Sequence, residues 1–375
     1  MAAVEIKPVR SSRDRMKFIK MPWSIYKNDP CWVPPLIFEQ KEFINPKKGP
    51  FFDYGEAALF LAYRGKKAVG RISAHINRRH EEVFKDNKGF FGFFECENNI
   101  NTARALFSAG EEYLKQKGKK SMEGPFSFSI YDEMGILVEG FDTIPYALNV
   151  HNPSYYPKLI EECGFRKSVD WYAFRGKAGI TDINVDPRYD KIFERVRRKN
   201  SIIFRNIEKK RLDEEADVIK GIFHQAWSRN WGHVDFTERE WERMKNALVS
   251  LVVFPLSTIV MVNNEPAGFL LSVYDANLAV QKTNGRLFPF GFVYLLRIPT
   301  IRRFRVILMG VLDKYRHLGL EVAMVNHVIK KARELGFTEA EMSNIVETNK
   351  PMLDSMSHLH VERYKTYRIY IKDLK

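Results

Sequence analysis

Two stretches of this 375-residue chain carry the same succession of secondary-structure signals, so the chain is expected to fold as two copies of one scaffold. In the first, Val4–Arg10 reads as a strand, and AALFLAYR, the turn GKK and AVGRISAHIN read as a hairpin. An aromatic strand (Gly89–Glu95), an amphipathic helix (Thr102–Lys117) closed by Gly118, a strand near Lys120–Pro125 and a helix over Pro153–Cys163 follow. The second stretch opens with the strand Ile202–Glu208 and helices over Leu212–Trp227 and Thr237–Val249. It then repeats the hairpin as LSTIVMV, NNE and PAGFLLSVY, and continues with a strand (Arg305–Leu312), a helix (Gly319–Leu335) and the strand EAEMSNI. Val4 and Gly70 are 66 positions apart, and so are Ile202 and Gly268.

The register then breaks. The second half gains about 20 residues between its third and fourth strands, and the first gains about 21 after its fifth. A polar, Gly/Pro-containing linker over Gly176–Arg188 predicts domains at 1–176 and 190–375, and the chain length suits two cores. Lys and Arg exceed Asp and Glu by 60 to 46, which favours anionic partners: a phosphorylated cofactor, lipid headgroups or nucleic acid. Cys31, Cys96 and Cys163 lack ligand spacing, and with the charged N-terminus they suggest a reducing cytoplasm, with peripheral attachment to the inner membrane face as an alternative. The most apolar stretch, Ala247–Val262, contains Pro255 and falls short of the roughly 20 residues that span a bilayer.

The segment VILMGVLDKYRHLGLEVAMVNHVIKKARELG reads as a strand, a basic turn and a long helix. A helix opening beside Lys314, Arg316 and Gly319 offers free amides and a positive dipole end, a layout suited to pyrophosphate. Here the chain resembles the GNAT acyltransferase superfamily, whose CoA-binding turn reads Gln/Arg-x-x-Gly-x-Gly/Ala. It stands as Arg316-His317-Leu318-Gly319-Leu320-Glu321, with the last position departing from the pattern. CWVPPLIFEQK, NPKKGPFF, GFFGFFECE, EGPFSFS and NPSYYP further resemble bacterial double-GNAT proteins, some of which are linked to N-acylation of sphingoid bases.

The resemblance implies an α/β chain of two tandem GNAT-like domains, each with a mixed, mostly antiparallel sheet flanked by helices. It implies acyl transfer from acyl-CoA or acetyl-CoA to an amine in the C-terminal domain, with the N-terminal domain a degenerate copy. Met309 and Val311 would face the thioester, and Arg316, Gly319 and Asn349 would help hold the CoA. The family's usual Tyr position after Asn349 holds Met356, leaving Tyr364, Tyr367 and Tyr370 as nearby hydroxyls, of which Tyr367 is the catalytic candidate. In the first half the corresponding turn, Glu95–Asn101, is acidic, lacks glycine and should repel phosphate.

Trp227, Asn230 and Trp231 suit either an acceptor pocket or a helix corner. His233 and Asp275 are candidate proton acceptors, each equally readable as structural. The insertion and the strand after it, Gly285–Arg316, interleave Phe288, Phe290, Phe292 and Tyr294 with seven basic residues. It suits an anionic membrane surface or an acyl tunnel, with Phe290 a substrate contact, or else a covered apolar edge. Lys191–Arg211 reads chiefly as a solvated helix face, because no nucleic-acid motif accompanies its charge. The acidic loop Tyr131, Asp132, Glu133, with Glu139 and Asp142, is either solvated or a site for a cationic amine. No metal is expected, since His358 and His360 lack a third ligand in the spacing. A non-catalytic CoA-binding module and an aminoacyl-tRNA-dependent transferase are the alternative functions.

Overall fold

A computed structural model describes residues 3–184 and 187–375; of the linker, Val185 and Asp186 lie outside the described residues. The first half runs β1 (Val4–Pro8), α1 (Ser12–Lys20), β2 (Gly55–Arg64), β3 (Lys67–Asn77), β4 (Lys88–Cys96) and α2 (Ile100–Gln116). It continues with β5 (Ser121–Gly124), β6 (Ile136–Glu139), α3 (Tyr156–Glu162) and β7 (Arg166–Arg175). The second half runs α4 (Pro187–Lys199), β8 (Ile202–Asn206), α5 (Leu212–Trp227), α6 (Glu238–Leu248), β9 (Thr258–Val262) and β10 (Glu265–Tyr274). It ends with α7 (Asn277–Thr283), β11 (Arg303–Val311), α8 (Leu320–Glu334), β12 (Glu339–Val346), α9 (Lys350–Ser357) and β13 (Glu362–Asp373).

Two compact units interleave along the chain. One holds the chain through Asp170 with Asn277–Leu296 and Lys365–Lys375; the other holds Trp171–Ala276 and Arg297–Tyr364. In the first unit the strand order is β1-β2-β3-β4-β5, completed by the Lys365–Asp373 part of β13, with β6 also pairing β13. In the second it is β8-β9-β10-β11-β12, completed by the Trp171–Arg175 part of β7. Among the described residues β4–β5 and β11–β12 pair in parallel while β1–β2, β2–β3, β3–β4, β8–β9, β9–β10 and β10–β11 pair antiparallel, so both sheets are mixed and mostly antiparallel, as the sequence predicts.

Each unit buries one long helix on its sheet, for the reason its sequence gives. In α2 the residues Ala103, Leu106, Phe107, Gly110 and Leu114 fall at helical spacing and are buried. In α8 the residues Leu320, Ala323, Met324, Val328 and Ile329 do the same. Both helices stop where Gly118 and Gly336 take φ of 74°, a conformation that glycine adopts without strain.

The insertion folds with the first unit. Asn277 donates to the Pro145 and Tyr146 carbonyls at 2.8 and 3.1 Å, Gln281 to those of Pro30 and Trp32 at 2.8 and 3.0 Å, and Trp23 Nε1 to Asn284 at 2.8 Å. Its basic neighbours in sequence are largely consumed inside the second unit. Arg303 faces the buried Asp275 at 3.3 Å, and buried Arg305 donates to Ser343 Oγ at 2.8 Å.

Candidate active site

β11 and β12 pair in parallel from Arg303↔Glu339 to Val306↔Met342 and then separate. β11 runs on to Val311 against β10, and β12 runs on to Val346 against β7. The divergence opens a cleft of about 880 Å³ lined by Ile307–Val311 on one side and Met342–Val346 on the other. Trp227, at the end of α5, donates its indole N–H to the Met309 carbonyl at 3.0 Å across this edge. A strand residue's N–H and C=O point to the same edge, so the Met309 amide also faces the cleft.

Beyond β11 the chain makes a tight 3-10 turn, Asp313–Leu318, and enters α8 through Gly319 at φ 66°. Gly319, at the N-cap, supplies no side-chain cap to α8, while the Glu321 carboxyl bonds its own amide in the first turn and Tyr189 Oη that of Ala323. Tyr189 donates to the Gly319 carbonyl. Arg316 is steered toward the cleft it lines by bonds to the Ala226 carbonyl and to Asp313, both 3.0 Å. Glu321, in the first turn of α8, also lines the cleft, and burial raises its carboxyl above the usual range although Arg316 opposes the shift. Asn349 lines the cleft while capping α9 through its bond from the Met352 amide at 3.3 Å.

The cleft thus gathers Met309, Val311, Arg316 and Asn349 with Trp227 and Asn230. Gly319 opens the helix beside them. Trp231 packs edge-on against the cleft residue Trp171, with ring centroids 6.1 Å apart. Four other sequence candidates lie elsewhere. His233 is buried, with Nε2 3.0 Å from Asp235 Oδ1, and burial lowers its pKa although Asp235 opposes this, so the ring is neutral at pH 7. Asp275 is buried at the Arg303 end of β11, six residues and roughly 20 Å along the strand from Met309. Tyr367 is buried in the first unit opposite Leu137 of β6, and Phe290 stands exposed in that unit's insertion.

Trp171 was not legible as a cleft residue, because its strand ends the first half of the sequence yet pairs with β12. It is buried, and its Nε1–H has no hydrogen-bond partner among the described residues. In the first unit the matching turn is filled by its own side chains. Asn99 accepts from the amides of Asn101 and Thr102 at 3.0 and 3.2 Å, and Glu97 meets Arg64 at 2.6 Å beside them. These bonds occupy the first amides of α2.

Two units of one order, each with a parallel strand pair that splays beside a long helix, define a tandem GNAT fold. A tandem GNAT protein from the clavulanic acid biosynthesis pathway has this fold over 100% of this chain and 99% of its own, with a TM-score of 0.55 at 11% identity. No family model matches the chain. It is 34% identical over 374 residues to protein YghO of Escherichia coli (97% of this chain, 94% of that one). It is 32% identical over 383 residues to the bacterial ceramide synthase of Caulobacter vibrioides (100% and 98%). The chain belongs to the family of tandem GNAT proteins that these two relatives represent.

The two cleft indoles should respond differently to loss of the N–H. Trp227→Phe removes a made hydrogen bond and leaves the Met309 carbonyl short of a donor, whereas Trp171→Phe removes a donor that bonds nothing. Urea denaturation should therefore find Trp227→Phe costlier by about 1 kcal/mol; equal costs would contradict the bonding described.

Proposed function

We propose that the chain transfers an acyl group from acyl-CoA to an amine in the cleft of the second unit. The observation that carries this reading is the strand splay, whose edge amides lead to the start of α8, where the N-cap is a glycine, beside Arg316. The opening amides of α8 and the Arg316 guanidinium would receive the pyrophosphate, and the free edge of β11 would bond the pantetheine amides. The Met309 amide would stabilise the developing oxyanion, with Val311 extending the same edge. Trp227, Asn230 and the Trp171–Trp231 pair would wall the acceptor, and Asn349 would hold the start of α9 against the cleft. The amine nitrogen attacks the thioester carbon, the C–S bond breaks, and the proton lost by nitrogen ends on the thiol, so no protein nucleophile is required. His233, Asp275 and Tyr367 take no part in this scheme.

A long-chain, sphingoid-type amine is the acceptor class that the relative called a ceramide synthase supports. So does the insertion, where Phe288, Phe290 and Leu296 are 79%, 74% and 72% exposed with Lys282 and Arg286 beside them. Among the described residues no helix is long and apolar enough to cross a membrane. We propose that this segment rests on an anionic bilayer, its apolar side chains entering the interface and its cations meeting phosphates.

Incubation of the protein with palmitoyl-CoA and long-chain amines should release free thiol in step with amide. Failure of every amine in a lipid panel to release thiol would remove the enzyme reading, and CoA binding without turnover would leave a binding module. Glu321 should set a pH dependence. Because its folded-state pKa is raised, the carboxyl is protonated at low pH and turns anionic as pH rises, opposing the phosphates. The CoA affinity of Glu321→Gln relative to wild type should therefore climb several-fold between about pH 5 and about pH 8 by calorimetry, and a flat ratio would place Glu321 away from the phosphates. For the membrane contact, a Phe288→Asp/Phe290→Asp variant should cosediment with anionic vesicles at least about tenfold more weakly than wild type. Undiminished sedimentation would move the contact elsewhere.

A further inference from the structure

The two units differ in what an extended thioester arm can read. In the first, β4 and β5 pair from Lys88↔Ser121 to Phe90↔Glu123 and then part around a cavity of about 730 Å³ lined by Glu95 and Glu133. Gly70 pairs with Cys96 as Gly268 pairs with Val311, so Glu95 holds the strand position that Gly310 holds in the second unit. The edge beyond it is closed by side chains: the Cys96 amide donates to Tyr156 Oη, and its carbonyl accepts from Tyr155, both at 2.9 Å. The second unit keeps the β11 edge along its cleft, and α4 lies against the helix that opens beside that cleft.

The two faces of α4 are occupied very differently. On the inner face Tyr189 bridges the start of α8, donating to the Gly319 carbonyl and accepting from the Ala323 amide. Asp190 accepts from Asn326 and Lys330 of α8 at 2.6 and 2.9 Å, and Phe193 and Val196 join the core that holds the buried face of α8. On the outer face Lys191, Arg195, Arg198 and Lys199 follow at i, i+4, i+7 and i+8 and are exposed, with Ile192 61% exposed among them. None of these four cations has a hydrogen bond or ion pair among the described residues. The acids of the helix are spent elsewhere, Asp190 on α8 and Glu194 on Arg197 at 3.3 Å. Four uncompensated charges thus surround one apolar side chain. Lys199 stands roughly 15 Å along the helix from Tyr189, so the whole patch begins beside the α8 start and ends within that reach of it.

The start of α8 is already partly taken, by the Glu321 carboxyl on its own amide and by Tyr189 Oη on that of Ala323, so a diphosphate there competes with two oxygens. A phosphopantetheine arm borne on a protein brings one phosphodiester and no nucleotide, and its amides can read the same β11 edge. The outer face of α4 suits the carrier itself. Its positive potential complements an acidic surface, and Ile192 supplies the apolar centre around which a protein interface excludes water. A bilayer or a nucleic acid is less well matched, because this face has no aromatic side chain among the described residues to enter a lipid interface or stack on a base. We propose that α4 docks an acidic acyl-carrier protein, which presents its acyl group as a phosphopantetheine thioester to the cleft of the second unit. This rests on the acyl-transfer reading and adds a donor to acyl-CoA. The amine attacks the carrier's thioester carbon, the C–S bond breaks, and the carrier leaves as its free thiol with the proton lost by nitrogen.

Amide formation by the full chain from palmitoyl-acyl-carrier protein and from palmitoyl-CoA, with the same long-chain amine, tests the assignment. A Lys191→Gln/Arg195→Gln/Arg198→Gln/Lys199→Gln variant should raise KM for the carrier at least about tenfold, leave kcat unchanged, and move KM for palmitoyl-CoA by less than about twofold. With wild type, KM for the carrier should climb more steeply than that for palmitoyl-CoA between about 50 and about 300 mM salt, a readout that stands even if the variant does not fold. Consumption of palmitoyl-CoA but not of the carrier, equal shifts for the two donors, or an unchanged carrier KM would each overturn the carrier surface and leave acyl transfer from CoA in place. Loss of vesicle or RNA binding in the variant, with carrier kinetics unchanged, would overturn it in favour of that partner. Consumption of neither donor would remove the acyl-transfer reading and this inference with it.

Discussion

Both clefts exist because a parallel strand pair stops pairing before its strands end. Backbone N–H and C=O groups on the parted edges lose their ladder partners, and a buried polar group without a partner costs about 1–3 kcal/mol. The two units meet this constraint in different ways. In the first, Tyr155 and Tyr156 take up the Cys96 groups and Asn99 takes up the first amides of its helix, so the splay is satisfied internally. In the second, Trp227 serves the Met309 carbonyl, and α8 opens on a glycine that offers no side-chain cap. The same backbone defect is closed by side chains in one unit and left more open in the other.

One strand position marks the divergence. With Gly310, β11 presents bare backbone: an added Cβ would stand 3.0 and 3.1 Å from the Phe269 and Ala226 side chains, which would have to give by a few tenths of an ångström to admit one. With Glu95, β4 instead projects a carboxylate among Tyr26, Tyr156 and Arg71. The two clefts therefore differ in chemistry at this position.

Local signals in the sequence were enough for the repeat. The hairpins centred on Gly70 and Gly268, the amphipathic α2 and α8 and the turn at Arg316–Gly319 all depend on spacing within a few residues. Strand partnership does not. Nothing near Trp171 or Lys365 in the sequence states that one strand will finish the sheet beside β12 and the other the sheet beside β5, because such pairing is decided by edges formed far away in the chain. Hence Trp171 went unread, and His233 and Asp275 were drawn in as polar residues at element ends although their own partners Asp235 and Arg303 already engage them. Glu133 was legible only as part of an acidic loop, since the cavity it faces is assembled from segments more than a hundred residues apart. The charge of the insertion was legible in total but not in disposition, because Arg303 and Arg305 turn inward to buried partners.

The exposed aromatic segment is not simply a loose loop. Its base is fixed by bonds from Asn277, Gln281 and Trp23, and by the Ile37 amide on the Gly285 carbonyl at 3.0 Å, all within the first unit. A segment so anchored cannot fold its apolar residues back into a core without breaking those bonds. Each large apolar side chain kept in water forgoes about 1.5–3 kcal/mol of burial. A rigid base that holds Phe288, Phe290 and Leu296 outward sustains that cost in the isolated chain, and contact with an apolar phase would recover it.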